Sequence, residues 1–351
     1  MNVRITNNMM VANTVRNINS NASRLSKAQD QMSSQSKIQL PSDDPVVASR
    51  AIKYRSYVAK IEQYQKNTDN AVSWQEVTDN ALSDLGDVVQ QIRDYTVQAS
   101  SDTLTDEDKA KIKTNVEELK KQAVQIMNTS YGGRYVFGGY VTDQEPYQIE
   151  ATDMGDKVTF KGSYLGGLVS ASLDDTAITD FYTDNAVYTT DGAQSIQYNL
   201  GYSNSITINV EGQDAIGESS ANNLFDTIDK LLLGLNGESS YKTVEVTTDP
   251  TTTVSISTST LDLDSVLTDL DHDLDRLLTA RSDLGARMNY VNMTKDRLST
   301  DYNTYTKLMS NNEDIDTAEV SMAVSTAEYV YEASLSVGAK VISNSLVDYL
   351  R

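Results

Sequence analysis

Apolar residues recur at helical steps near both ends of the chain. Toward the C-terminus, Val320, Ala323, Ala327, Val330, Ser334, Val337 and Val341 step by three and four residues in alternation, one seam on a continuous helix. Toward the N-terminus, Val11, Val15, Ile18, Ala22, Leu25, Gln29 and Met32 keep the same rhythm in four-three order. Each stretch has an apolar seam and no local partner. The two are expected to pack on each other or on copies of themselves, which makes the rest of the chain an insertion between mated ends.

The pattern between them predicts the other elements. Residues 1–9 are polar and Asn-rich and are expected to fray. A first helix over 10–37 meets Pro41-Ser42-Asp43-Asp44-Pro45. Pro41 pushes Leu40 out of the helical region, Asp44 suits an N-cap, and Pro45 suits the first helical position. A helix then runs to about residue 100 on Tyr57, Ile61, Tyr64, Thr68, Ala71, Gln75, Thr78, Leu82, Leu85, Val89 and Ile92. Thr105 with Asp108 resembles a capping box, opening a shorter helix that ends near residue 130.

At Tyr131 the period changes. Tyr131-Gly132-Gly133-Arg134-Tyr135-Val136-Phe137-Gly138-Gly139-Tyr140 reads as a hairpin with tight turns. It carries neither glycine pattern of a phosphate loop. Residues 142–260 are mostly β-like, with alternation at 157–161, 206–210 and 244–247 and one short helix over 223–235. From about 261 a second long helix follows Leu263, Leu267, Leu270, Leu274, Leu277, Arg281, Leu284, Met288, Val291, Lys295, Leu298, Tyr302 and Tyr305. The fold class is therefore α+β: long coiled-coil or bundle helices drawn from both termini, with an inserted β-rich domain. The expected domains are 1–40 with 312–351, 41–135 with 261–311, and 136–260.

Composition narrows the function. The net charge is −21, from 29 Lys and Arg against 50 Asp and Glu. A nucleic-acid binder needs a basic face, and an anionic membrane surface would repel this chain, so neither partner is expected. No run is apolar enough for a membrane span, and the first residues lack the apolar core of a secretory signal. That pattern fits a cytoplasmic chain, or one exported without a cleaved signal. The sequence has no Cys, one His, four Pro, four Phe and one Trp. Disulfides, thiolate catalysis and zinc–sulfur sites are excluded, and few prolines fit long helices.

Candidate chemistry is sparse. Asp269-Leu270-Asp271-His272-Asp273-Leu274-Asp275 is the most site-like cluster. As a calcium loop it fails, with Leu274 where Gly is needed and Ala280 where Glu is needed. Its leucines belong to the seam, so the acids and His272 are expected on a solvated face. Asp43 and Asp44 read as caps rather than ligands. Three Asn-X-Ser/Thr triplets, starting at Asn21, Asn128 and Asn292, are short chance patterns with no secretory signal before them. No nucleophile has a base, no cofactor is implied, and an enzyme is not expected.

Some of these residues resemble a known family. Ile5-Thr6-Asn7, Arg24-Leu25, Lys37-Ile38 and Pro41-Ser42-Asp43-Asp44-Pro45 are similar to the N-terminal marks of the flagellin superfamily of bacterial flagellar axial proteins. Proline on both sides of Ser-Asp-Asp, and the Gly133–Tyr140 segment with Thr142 and Pro146-Tyr147, resemble its junction-protein branch. Arg281-Ser282-Asp283-Leu284-Gly285-Ala286-Arg287, Asp314–Glu319 and Ser345–Leu350 look like its C-terminal helix motifs. The middle of the chain matches only loosely.

The resemblance implies terminal helices paired into an inner tube, a surrounding bundle and a projecting β-rich domain. It implies export through the flagellar type III apparatus, ends that order only on assembly, and a place at the hook–filament junction. It also implies partners: copies of itself in a ring, another hook-associated protein, flagellin and an export chaperone. The assembly residues would be Val11, Val15, Ile18, Ala22, Leu25, Val320, Ala323, Ala327, Val330, Val337 and Val341. Pro41, Ser42, Asp43, Asp44 and Pro45 would set a domain joint. The reading is a structural adaptor. Its rivals are a flagellin or the other junction protein, a cytosolic coiled-coil scaffold, and a binding module built on the β domain.

Overall fold

The computed structural model describes residues 7–101, 104–188, 193–201, 204–217, 223–247 and 253–349. The expected fraying of 1–6, Ile5-Thr6 of the first motif and Leu350 of the last lie outside these residues. The chain forms two units, one from Met1–Gln63 with Leu298–Arg351 and the other from Tyr64–Arg297.

The elements run α1 (Asn7–Ser34), α2 (Pro45–Ala99), α3 (Asp106–Met127), β1 (Ser130–Tyr131), β2 (Arg134–Tyr135), β3 (Tyr147–Thr152), β4 (Gly155–Phe160), β5 (Ser163–Tyr164) and β6 (Leu168–Ser170). Then come α4 (Asp175–Asp184), β7 (Gln197–Gly201), β8 (Asn204–Thr207), α5 (Gly212–Ile216), α6 (Leu224–Leu235), β9 (Ser240–Thr247), β10 (Thr253–Thr260), α7 (Leu263–Glu313) and α8 (Thr317–Tyr349).

In the first unit α1 and α8 pair antiparallel. The pair is clasped where the α1–α2 and α7–α8 connections meet. Ser36 bridges Asp314, the Lys37 amide donates to the Glu313 carbonyl at 2.7 Å, and the Ile315 amide donates to the Gln35 carbonyl at 3.3 Å. Residues 45–63 of α2 lie beside 298–313 of α7. Tyr57 and Tyr305 approach to 5.2 Å between ring centroids, and the Asn312 amide donates to the Val47 carbonyl at 3.0 Å. Arg55 grips Glu313 through both carboxylate oxygens, with its Nε at 3.1 and 3.0 Å. Ala48, Ala51, Val58, Ile61 and Leu298 are buried there.

The second unit has one large core. It takes Leu82, Leu85 and Ile92 from α2, Val116 and Ala123 from α3, Leu270, Leu277 and Leu284 from α7, and Phe225, Ile228 and Leu231 from α6. Arg281 and Lys295, the polar breaks in the α7 heptad, reach carboxylates on α2: Arg281 Nε to Asp79 at 2.7 Å and Lys295 to Asp69 at 2.8 Å. Among the described residues the β region holds two three-stranded sheets, β10-β9-β6 and β3-β4-β5, and two two-stranded pairs, β1-β2 and β7-β8, all antiparallel. The β1–β2 hairpin turns on Gly132 and Gly133, both at positive φ, as a two-residue primed turn requires. The pattern announced neither the five-residue α5 nor the longer α4. Its Ile178 and Tyr182 pack with Val169 and Val244 into a separate small core.

Candidate assembly interface

Helix α1 buries a narrow stripe. Val11, Thr14, Ile18, Asn21, Ala22 and Leu25 are half-buried and Ala28 is buried. On α8 the inward residues are Val320, Val324, Ala327, Tyr331, Ser334 and Val341, half-buried, with Gly338 buried. Gly338 lets the two backbones approach. A Cβ there would meet Ile18 Cδ1 and Thr14 Cγ2.

This corrects the expected seam by a fraction of a turn. Val11, Ile18, Ala22, Leu25, Val320, Ala327, Ser334 and Val341 lie in or beside the contact. Val15, Gln29, Met32, Ala323, Val330 and Val337 turn outward. Their places are taken by Thr14, Asn21 and Ala28 on α1 and by Val324, Tyr331 and Gly338 on α8. Two columns, three and four residues away, flank each shared heptad position. Close approach at Gly338 brings Thr14, Asn21 and Ala28 inward on α1 and leaves Val15, Gln29 and Met32 out, while on α8 Val324 and Tyr331 join Gly338 inside and Ala323, Val330 and Val337 are left out.

The surplus is large. Tyr329 is 74% exposed, Met322 66%, Val337 57%, Leu335 44%, Val15 43% and Val330 40%. Ala323, Val330 and Val337 form one wall of a groove whose other wall is α1, with Arg24 among its polar residues. Exposed apolar side chains aligned along a helix pair mark a contact surface, whereas scattered ones carry no such meaning.

The proline-flanked turn is built as its residues dictate. Asp44 Oδ1 accepts from the amides of Val46 at 2.9 Å and Val47 at 3.1 Å, capping α2, and exposed Pro45 is its first residue. Asp43 accepts from the amides of Leu40 at 3.1 Å and Gln39 at 3.3 Å and from Lys27 of α1 at 3.3 Å. The Leu40 amide, then the Lys27 ammonium, hold its carboxyl below the ordinary range. Pro41 and Ser42 are exposed. No group of three or more His, Cys, Asp or Glu able to hold a metal occurs among the described residues.

The acidic cluster on α7 is not a solvated face throughout. His272 is exposed, but Asp273 is buried and ion-paired to Arg276 at 2.9 Å, and burial raises its pKa. Asp269 pairs with Lys230 at 2.8 Å and Asp271 with Arg93 at 2.7 Å. The correction has the same origin, because the inward α7 column is Val266, Leu270, Asp273, Leu277 and Ala280.

A buried ionic group in the second unit has no counterpart in the sequence reading. Lys120 of α3 and Lys157 of β4 both reach Asp229 of α6, at 2.6 and 3.5 Å. Beside them Asp226 is buried and hydrogen-bonded to Asn223 Nδ2 at 2.8 Å, and burial pushes its pKa up to about 7. The lysines also donate to the carbonyls of Asp156 and Leu168, so the group ties α3, α6 and two strands together. Its charges are satisfied within the unit, which makes it a structural staple.

Comparison with known proteins gives these helices a family. The description "Bacterial flagellin N-terminal helical region" matches residues 5–142, and "Bacterial flagellin C-terminal helical region" matches 267–350. Flagellar hook-associated protein 3 of Escherichia coli (strain K12) is 27% identical over 303 residues, 85% of this chain and 84% of that protein. The protein of the same name from Salmonella typhimurium is 28% identical over 317 residues, 90% of this chain and 89% of its own. A solved structure described as a flagellar hook-associated protein from Vibrio parahaemolyticus superposes with a TM-score of 0.55 at 16% identity. It covers 78% of this chain and 100% of its own, a likeness of fold. With both terminal helical regions matched in order, the chain belongs to the bacterial flagellin superfamily, and across most of its length it is similar to flagellar hook-associated protein 3, a structural protein of the flagellum.

Proposed function

We propose that this chain is a structural adaptor that joins the flagellar hook to the filament, and that it does so through its two terminal helices. Residues 1–40 with 312–351 enter the axial tube, and the Pro41–Pro45 turn sets the joint with the helices that follow. The observation that carries the reading is the division of apolar residues in the α1–α8 pair. The pair turns Ile18, Leu25, Val324 and Tyr331 inward, and still Met322, Tyr329, Val330, Leu335 and Val337 face out. An isolated pair of helices has no use for that outward strip; a neighbouring subunit does. The partners are copies of the same chain in a ring, the other hook-associated protein on one side and flagellin on the other. An export chaperone guards the apolar ends before passage.

Two substitutions in the full-length chain separate the inner contact from the outer strip. Ile18→Asp breaks the α1–α8 pair, and Val330→Asp spoils the outward strip alone. Both leave the second unit folded, read from the fluorescence of Trp74, the single and buried tryptophan. Both should abolish incorporation into flagella of cells that lack the natural adaptor. Normal filaments in either mutant would overturn the reading. Long fibres grown from the purified chain alone would point to a filament subunit instead.

A further inference from the structure

Each charge of the buried staple has an opposite partner, yet its donors outnumber its acceptors. An ammonium carries three N–H bonds. Lys120 Nζ donates to the Asp156 carbonyl at 2.8 Å and to Asp229 Oδ1 at 2.6 Å. Lys157 Nζ donates to the Leu168 carbonyl and reaches Asp229 Oδ2 only at 3.5 Å, beyond ordinary hydrogen-bond length. One N–H of each finds no acceptor among the described residues. Both lysines are 4% exposed. A donor so deeply buried is costly to leave unmatched.

Both lysines line one cavity of about 310 Å³, bounded by α3, α6 and strands β3, β4 and β6. Its apolar lining is Ile149, Met154, Leu168, Leu232 and Leu233. The more exposed lysines of the same cavity, Lys113 and Lys121, have acids of their own, Glu117 at 3.7 Å and Glu118 at 2.6 Å. Lys120 and Lys157 share the single carboxylate of Asp229. Asp226 lies within electrostatic reach of Lys157, but burial keeps its proton on below about pH 7. The other groups around Asp226 are Asn223, Asp229 and Lys230 of α6 and Tyr182 of α4.

We infer that this cavity binds a small amphipathic carboxylate, its head bridging Lys120 and Lys157 opposite Asp229 and its hydrocarbon body on Ile149, Met154, Leu168, Leu232 and Leu233. Two ammoniums between two carboxylates leave no donor unmatched, and charge-assisted bonds of this kind are the strong ones. A body of several carbons answers the apolar lining. The volume, at the low end for ligand pockets, excludes a large ligand. An occupant that touches α3, α6 and the strands at once stabilises the second unit by mass action. The site lies within that unit and does not depend on the adaptor reading.

The probe is octanoate, titrated into the full chain at pH 6 by isothermal calorimetry, with acetate and 1-octanol standing for its two halves. Octanoate should bind once per chain, at least tenfold tighter than either half. Lys120→Met keeps the stem and drops the charge. Leu233→Trp fills the cavity from α6 without touching the ionic group. Each should weaken octanoate at least tenfold. Affinity should fall from pH 6 to pH 8, as Asp226 ionises and itself offsets the charge of Lys157, and Asp226→Asn should flatten that fall. Octanol binding as tightly as octanoate would reduce the site to an apolar hole, and acetate binding as tightly would reduce it to an ion contact. Full affinity in Leu233→Trp would place the ligand elsewhere, and equal affinity at pH 6 and pH 8 would show that the lysine pair is not what holds it. Any of these overturns the proposal. If Lys120→Met does not fold, judged by Trp74 fluorescence, Leu233→Trp decides alone.

Discussion

Gly338 of α8 lies against Ile18 of α1 so closely that a Cβ built on it would stand 2.8 Å from Ile18 Cδ1. The obstructing atom is the tip of a flexible side chain. Gly338→Ala should therefore be tolerated, since the Ile18 methyl can step aside and the helix gains about 1 kcal/mol of propensity. Gly338→Leu has no such escape and must part the helices. Limited proteolysis should cut its α1 faster than the parent's, with incorporation down about tenfold. Equal incorporation of both variants would mean that the assembled chain does not use this contact.

The neighbouring aspartates of the turn hold different things, and their substitutions should differ. Asp44→Ala removes the α2 cap and should cost about 1 kcal/mol, with Asp44→Asn close to neutral. Hydrogen exchange of the Val46 and Val47 amides reads this directly. Asp43→Ala frees the Gln39 and Leu40 amides and the Lys27 ammonium, so its faster exchange should appear at 39–40 instead. The same exchange pattern from both variants would show that the two carboxylates act as one.

Asp226 makes the second unit sensitive to pH. Around it stand Asn223 and Asp229 of α6, Lys157 of β4, Tyr182 of α4 and the Gly166–Gly167 backbone. Its folded pKa, about 7, lies above the ordinary carboxylate value of 3.8. The folded state therefore binds the proton more tightly. Its contribution is complete below the unfolded pKa and is lost progressively as pH rises from there through about 7, a change on the order of 4 kcal/mol. Urea unfolding followed at Trp74 should show the parent losing stability between pH 5 and 8, and Asp226→Asn losing less. Parallel pH slopes for the two proteins would remove Asp226 as the cause.

Periodicity carried the long elements because a heptad repeats often enough to average out single residues. The ends of α2 at Pro45 and of α3 at Thr105 were legible because capping is local chemistry. What could not be read was the rotation of a helix about its own axis. Val15 and Thr14 are neighbours on the wheel, and hydrophobicity favours Val15. The contact takes Thr14 because Gly338 brings the backbones together. Asp273 fails in the same way, since a carboxylate in the inward column looks like surface until Arg276 is seen beside it. Lys120 and Asp229 lie far apart in the chain, and no local pattern joins them. α4 is short, and Asp175–Asp184 has only a few apolar residues to mark it.

The α1–α8 seam has one more property. Its interlocking residues mix small or polar ones, Thr14, Asn21, Ser334 and Gly338, with the larger Ile18, Leu25 and Tyr331, and Ile18 finds its room at Gly338. Register is held at the end where Ser36 meets Asp314 and Lys37 meets Glu313. A shift of one heptad, about 10 Å, would set Ile18 against Tyr331 in place of Gly338, so side-chain size holds the register together with the clasp. The pair is thus keyed along its length and pinned at one end, so a push on either helix is carried to the clasp as a rigid rod would carry it.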